Sequence, residues 1–97
     1  MIVLKRTKVY DRWFNKLKDA QAQAKIVYRT EQIKNGNFGD FKYISDGIFE
    51  LRIHYGPGYR IYYTKEGDTV VLLLIGGDKS TQQKDRDKAK EIKNSKG

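Results

Sequence analysis

Phe49-Glu50-Leu51-Arg52-Ile53-His54-Tyr55, then Gly56-Pro57-Gly58, then Tyr59-Arg60-Ile61-Tyr62-Tyr63, is the stretch that decides the fold. Side-chain character alternates along Phe49–Tyr55 with the period of two that marks a strand buried on one face. Gly-Pro-Gly interrupts the pattern, because proline carries no N–H for a strand ladder, and a hairpin is expected there. A simple hairpin register pairs Tyr55 with Tyr59, which sets His54 opposite Arg60 and Arg52 opposite Tyr62. Phe49, Leu51, Ile53 and Tyr55 then face a core. Glu50, Arg52, His54, Arg60 and Tyr62 share one polar patch that no helix covers.

Outward from the hairpin, Glu66-Gly67-Asp68 breaks the chain before Val70–Ile75, which is apolar throughout and so reads as a central strand. Upstream, Phe41–Ile44 is a further strand, joined by a Ser45-Asp46-Gly47 turn. Ile2-Val3-Leu4 reads as a short first strand. Thr7 caps a helix whose Val9, Tyr10, Trp13, Phe14 and Leu17 form one stripe, which makes Trp13 and Phe14 core residues. A second helix follows Lys18-Asp19, carried by Ala20, Ala22, Ala24, Ile26, Val27 and Ile33, and stops at Asn35-Gly36. Ser80 opens the last helix, with Gln83 completing a capping box, but Ala89 and Ile92 are its only clear apolar anchors. The order βααββββα predicts an α+β domain over residues 1–97, a mainly antiparallel sheet covered by two N-terminal helices, with a C-terminal helix. Residues 93–97 read as a disordered tail.

At 97 residues the chain is sized for one core. With no cysteine and a single histidine it offers neither a disulfide framework nor a thiolate metal site, and no cofactor or metal is expected. The Ile2–Leu4 run is too short for a signal-peptide core, and no stretch approaches the roughly 20 apolar residues of a membrane span. A cytoplasmic location follows as the expectation. Twenty Lys and Arg against twelve Asp and Glu leave a net charge of +8, which suits a polyanionic partner, nucleic acid or an acidic protein.

The polar patch has the parts for cutting RNA without a metal. That chemistry needs a group to take the 2′-hydroxyl proton, one to protonate the leaving 5′-oxygen, and cations to steady the phosphorane. His54 is the one side chain of the patch whose type titrates near neutral pH. The two arginines favour a neutral, proton-accepting imidazole, and Glu50 opposes them. Lys79, after the last strand, falls at the patch edge beside the N-terminus of the Ser80 helix, where backbone donors also converge. Lys42, Lys84 and Arg86 are candidate RNA contacts, and Tyr62, with Tyr43, could stack on bases. Plainer readings stand beside these. A strand histidine can be structural, an Arg–Glu pair on a sheet can be solvated charge, and the run from Lys84 to Lys93 can be a solvated helix face. Gly56 and Gly58 form no phosphate loop, since a strand follows them.

Phe49-Glu50-Leu51-Arg52, Gly56-Pro57-Gly58-Tyr59-Arg60-Ile61-Tyr62-Tyr63 and Gly76-Gly77-Asp78-Lys79-Ser80-Thr81-Gln82, in this order and spacing, resemble the RelE/ParE superfamily. The resemblance is to its HigB-like addiction module killer branch and spans nearly the whole chain. It implies the toxin of a toxin–antitoxin pair, an endoribonuclease that enters the ribosomal A site and cuts mRNA. Its implied partners are the ribosome, mRNA and a cognate HigA-like antitoxin with a helix-turn-helix domain. By matching motif, Arg52 and Arg60 correspond to phosphate-binding arginines and Lys79 to a basic residue after the last strand, with His54 as a further catalytic position. Several mRNA-cleaving relatives carry Tyr or His near the end of the last strand, where this chain has Gly76-Gly77. Two other functions stay open: a ParE-like gyrase inhibitor that does no chemistry, and a non-catalytic module that binds RNA or docks on the ribosome.

Overall fold

Two short polar side chains begin the N-terminal helices. In the computed structural model, which describes residues 1–95, Thr7 accepts a hydrogen bond from the Tyr10 N–H at 3.0 Å and opens α1, Lys8–Lys16. Asp19 accepts from the N–H groups of Gln21 and Ala22 and opens α2, Ala20–Lys34. Each cap satisfies donors that a first helical turn leaves without partners.

Five strands make one sheet: β1 Val3–Arg6, β2 Phe41–Ser45, β3 Ile48–Ile53, β4 Tyr59–Glu66 and β5 Val70–Asp78. Their order is β1-β5-β4-β3-β2, with β1 parallel to β5 and every other pairing antiparallel. A 3-10 turn, Lys79–Thr81, leads into α3, Gln82–Ser95. This is the expected α+β domain with the RelE-like order of elements. Val70–Ile75 is interior, as its apolar run requires, between β1 and β4.

α1 and α2 cover one face of the sheet. Tyr10, Ala22, Ile26 and Ile33 pack there with Leu51, Ile53, Ile61, Tyr63, Val71 and Leu73, while Trp13 and Phe14 close the margin. At roughly 1.5–3 kcal/mol for each large apolar side chain taken out of water, this cluster is the main source of stability.

The other face is not open, contrary to expectation. α3 crosses it and sets Ala89 and, at the margin, Ile92 against Ile48, Tyr62, Leu72 and Leu74. Glu50 and Tyr62 are fully buried as a result. Gly77 permits the approach: a Cβ there would stand 1.7 Å from Asp85 Oδ2, so only glycine lets the first turn of α3 come so close to β5. Gly76 plays the same part on the opposite face, where a Cβ would meet the Trp13 ring at 2.2 Å.

The ends of the last helix also depart from the pattern read in the sequence. Asp78, not Ser80, is the capping residue, and it caps the 3-10 turn that precedes α3: its carboxylate accepts from the Ser80 N–H at 2.8 Å, and Thr81 Oγ1 accepts from the Asp78 N–H at 3.2 Å. A carboxylate is the stronger acceptor and prevails over the Ser80–Gln83 box. Lys93–Ser95 are helical where a disordered tail was expected, and the Lys93 stem lies along the Gly47 turn. Lys96 and Gly97 lie outside the described residues. Among the described residues no helix is long and apolar enough to cross a membrane.

Candidate functional site

β3 ends at Ile53, which pairs with Tyr59, and residues 54–58 form the turn. Arg52 therefore stands directly opposite Arg60, and Glu50 opposite Tyr62, so the register differs by two residues from the simple hairpin. The cause lies in the turn. Pro57 cannot extend the ladder, and Gly56 and Gly58 both take left-handed backbone, at φ +55° and +80°. The Tyr55 N–H donates to the Ile53 carbonyl and the Gly58 N–H to the Tyr55 carbonyl, closing the reversal.

His54 consequently leaves the strand instead of standing beside Arg60. Its side chain is 74% exposed, and Nε2 pairs with the Asp40 carboxylate. That hydrogen bond, helped by the charges of Arg52 and Arg29, holds the Asp40 carboxyl below its ordinary value. An ionised Asp40 can only accept. In the neutral imidazole, Nε2 then carries the proton and Nδ1 the lone pair.

Glu50 is the centre of the α3 face. Its carboxylate receives the Tyr62 hydroxyl at 2.8 Å, the Gln82 amide at 3.0 Å, Arg86 Nη2 at 3.2 Å and Arg52 Nε at 3.3 Å. Burial alone would raise this carboxyl, but the donors from Tyr62, Gln82, Arg86 and Arg52 outweigh it and hold the group below its ordinary value. The Tyr62 hydroxyl is pushed far upward, first by burial and then by its bond to Glu50. A buried Tyr62 cannot stack on a base, so the expected RNA contact fails. Alternation did put it on the polar face, and α3 then covers it. Arg86 is a member of the buried network rather than of a free helix face. Lys84 is exposed along the groove between α1 and α3, beside Val9 and Trp13. Lys42 is exposed on β2, across from Glu50.

Arg60 lies half-buried between Arg52 on β3 and Gly77 on β5. Its Nε is enclosed with no hydrogen-bond partner among the described residues. An enclosed cationic donor costs free energy until an anion or a water meets it. Lys79 is exposed, and its Cβ is 3.6 Å from where a Cβ of Gly58 would be, so it stands over the hairpin turn. The Ser80 N–H expected to add an anion donor there is already held by Asp78. The structure thus gathers Arg52, Arg60 and Arg86, with Lys79 at the edge, and sets His54 and Lys84 apart. Among the described residues no group of three or more His, Cys, Asp or Glu side chains could hold a metal ion.

Sequence reasoning missed Glu50 as the hub, Gln82 as its partner, and Arg29, which donates to the Arg52 carbonyl at 2.7 Å and fixes the end of β3. One signal was available. Gln82, Arg86 and Ala89 recur at four and three residues, so the helix that buries Ala89 must also turn Gln82 and Arg86 toward the sheet.

The family described as phage-derived protein Gp49-like (DUF891) matches residues 12–96. The chain belongs to this family. An uncharacterized protein of Haemophilus influenzae is 52% identical to it over 89 residues, covering 92% of this chain and 90% of that relative. Gp49-like proteins are a RelE-like, toxin-like family, so the resemblance carried by the hairpin motifs holds at that level. The match includes Glu50, both hairpin arginines, all of α3 and the network partners Tyr62, Gln82 and Arg86.

Proposed function

We propose that this Gp49-like protein is the toxin of a type II toxin–antitoxin pair, on the HigB-like branch, and an mRNA endoribonuclease that acts on the ribosome without a resident metal. The observation that carries the reading is the Arg52–Arg60 pair, two arginines directly opposed in register across β3 and β4, with an Arg60 guanidinium that no acceptor among the described residues meets. A phosphodiester can meet the accessible end of that guanidinium, Nε itself being enclosed. In the cleavage step the 2′-oxygen bonds to phosphorus while the bond to the 5′-oxygen breaks and that oxygen takes a proton from water, leaving a 5′-hydroxyl and a 2′,3′-cyclic phosphate that water can open to a 3′-phosphate. Arg60 and Arg52 steady the charge that develops on the non-bridging oxygens, with Lys79 at the rim. His54, oriented by Asp40, takes the 2′-hydroxyl proton at Nδ1. A helix-turn-helix antitoxin would cover this surface, and the cytoplasm is the compartment where ribosome and antitoxin are met.

One observation favours a second reading, a ParE-like toxin that binds gyrase and does no chemistry. His54 lies around the turn from Arg60, and Tyr62 is buried, so no acid–base pair faces the arginines directly.

Programmed ribosomes separate the two. The purified chain should cut mRNA in the A-site codon and leave cyclic-phosphate ends, with His54→Gln slower by about 10²–10⁴-fold if it is the base. Intact mRNA together with inhibited DNA supercoiling would favour the gyrase reading, and absence of both would end the toxin reading.

A further inference from the structure

A second cleft lies on the opposite side of the hairpin from the arginines, between α2 and the end of β3. It encloses about 490 Å³, within the roughly 300–1,000 Å³ typical of small-molecule sites. Gln21, Lys25 and Tyr28 recur at four and three residues and form its α2 wall, with His54 and Tyr55 opposite. Tyr28 is 64% exposed and has no hydrogen bond or ring partner among the described residues. Aromatic surface that the fold leaves in water without a partner suits a stacking role.

The polar groups of the cleft are arranged around flat rings. Lys25 Nζ stands 5.2 Å from the centre of the Tyr55 ring, so a positive charge is held against an aromatic face. The Tyr55 hydroxyl lies 3.0 Å from both Asp19 Oδ2 and Gln21 Oε1, and its single proton goes to the carboxylate, the stronger acceptor, which leaves the Gln21 amide to pair with a base edge. Arg29 lies at the base of the cleft and ties it to the arginine site, because its guanidinium bonds the carbonyls of Arg52 and Asp40. His54, two residues beyond Arg52, lines this cleft as well as following the arginine strand.

We propose that this cleft is a nucleobase-binding subsite, in which Tyr28 stacks on an unpaired base, Gln21 donates to its edge and Lys25 meets the adjoining phosphate. The inference rests on the RNA reading for its purpose, but binding of a free nucleotide tests it separately. An acidic peptide is the weaker fit, since Arg29 is already spent on carbonyls and the walls are an aromatic ring and an amide donor.

Amide shifts of the ¹⁵N-labelled protein, titrated with adenosine 5′-monophosphate and separately with ribose 5-phosphate, decide it. Adenosine 5′-monophosphate should move Gln21, Lys25, Tyr28 and residues 53–55. Ribose 5-phosphate, which lacks the base, should leave Tyr28 and Gln21 in place. Tyr28→Ala should weaken the nucleotide at least about five-fold, as loss of one stacked base does, and Tyr28→Phe should keep it. Equal shifts with both compounds, shifts confined to Arg60 and Gly77, or an unaffected Tyr28→Ala would overturn the proposal. Base binding in the cleft by a protein that leaves programmed mRNA intact would keep this subsite and remove the nuclease reading alone.

Discussion

The face of the sheet under α1 and α2 buries Tyr10, Ile26, Leu51, Ile61 and Leu73 and no charged side chain, whereas the α3 side buries two carboxyl groups, Glu50 and Asp85, and the Tyr62 hydroxyl beside a smaller apolar cluster. The first is held by area removed from water, which is insensitive to pH and tolerates little loss of volume. The second is held by donors matched to one acceptor, so its stability depends on charge state and on every partner being present. The difference teaches where function fits. Cations can be displayed at the rim of the polar face because Glu50 already anchors Arg52 and Arg86 from beneath, and a comparable display on the apolar face would expose core.

Removing the acceptor should give the largest effect. Glu50→Ala strands Arg86, Gln82 and Tyr62 in a covered site and should cost about 3–5 kcal/mol in urea denaturation at neutral pH. Glu50→Gln, which keeps the shape and some of the bonds, should cost less. A cost below about 1 kcal/mol for the alanine variant would mean that α3 is not held by this network.

Leu51→Ala, one residue away on the other face, should cost about 2–5 kcal/mol through the cavity it leaves. Unlike the Glu50 effect, this loss should be the same at pH 7 and pH 4.5. A strongly pH-dependent Leu51→Ala penalty would break the comparison of the two faces.

Acid should act through Glu50. Its carboxyl is held low in the folded protein, so the stability it adds is present above the unfolded value of about 4.3 and is lost as pH falls through the lower folded value. Melting temperature should drop below about pH 4.3 in the wild type and less steeply in Glu50→Gln, which scanning calorimetry can follow.

The smallest effect is expected at Asp85, whose carboxyl burial raises despite its bond to Thr81. A raised folded value means the protonated form is favoured, and stability from it is lost as pH rises through that value. Asp85→Asn should therefore melt slightly above the wild type at pH 7, with the gap closing on acidification. A gap that widens in acid would contradict the assignment.

The elements and their order were legible because period-two alternation, the Thr7 cap, the Asn35-Gly36 stop and the Gly-Pro-Gly break each follow from local chemistry. The hairpin register was not, because nothing local says how many residues a Gly-Pro-Gly turn takes from its strands, and that miscount put His54 beside Arg60. Nor was the burial of Glu50. A glutamate in an alternating strand reads as solvated unless one knows that Gly77 admits α3, and that contact joins positions far apart in the chain. The basic residues Arg52 and Arg60 were correctly read as sharing a face, since a slip of two residues preserves which face each one takes.

The central claim is that the arginine rim of the polar face carries the activity, and growth of cells expressing the chain alone, with sequencing of RNA ends, tests it most directly. Wild-type protein should arrest growth and leave breaks inside translated messages, while Arg60→Ala, melting within a few degrees of wild type, should do neither. Arrest by a folded Arg60→Ala variant, or wild-type arrest with every transcript intact, would contradict it.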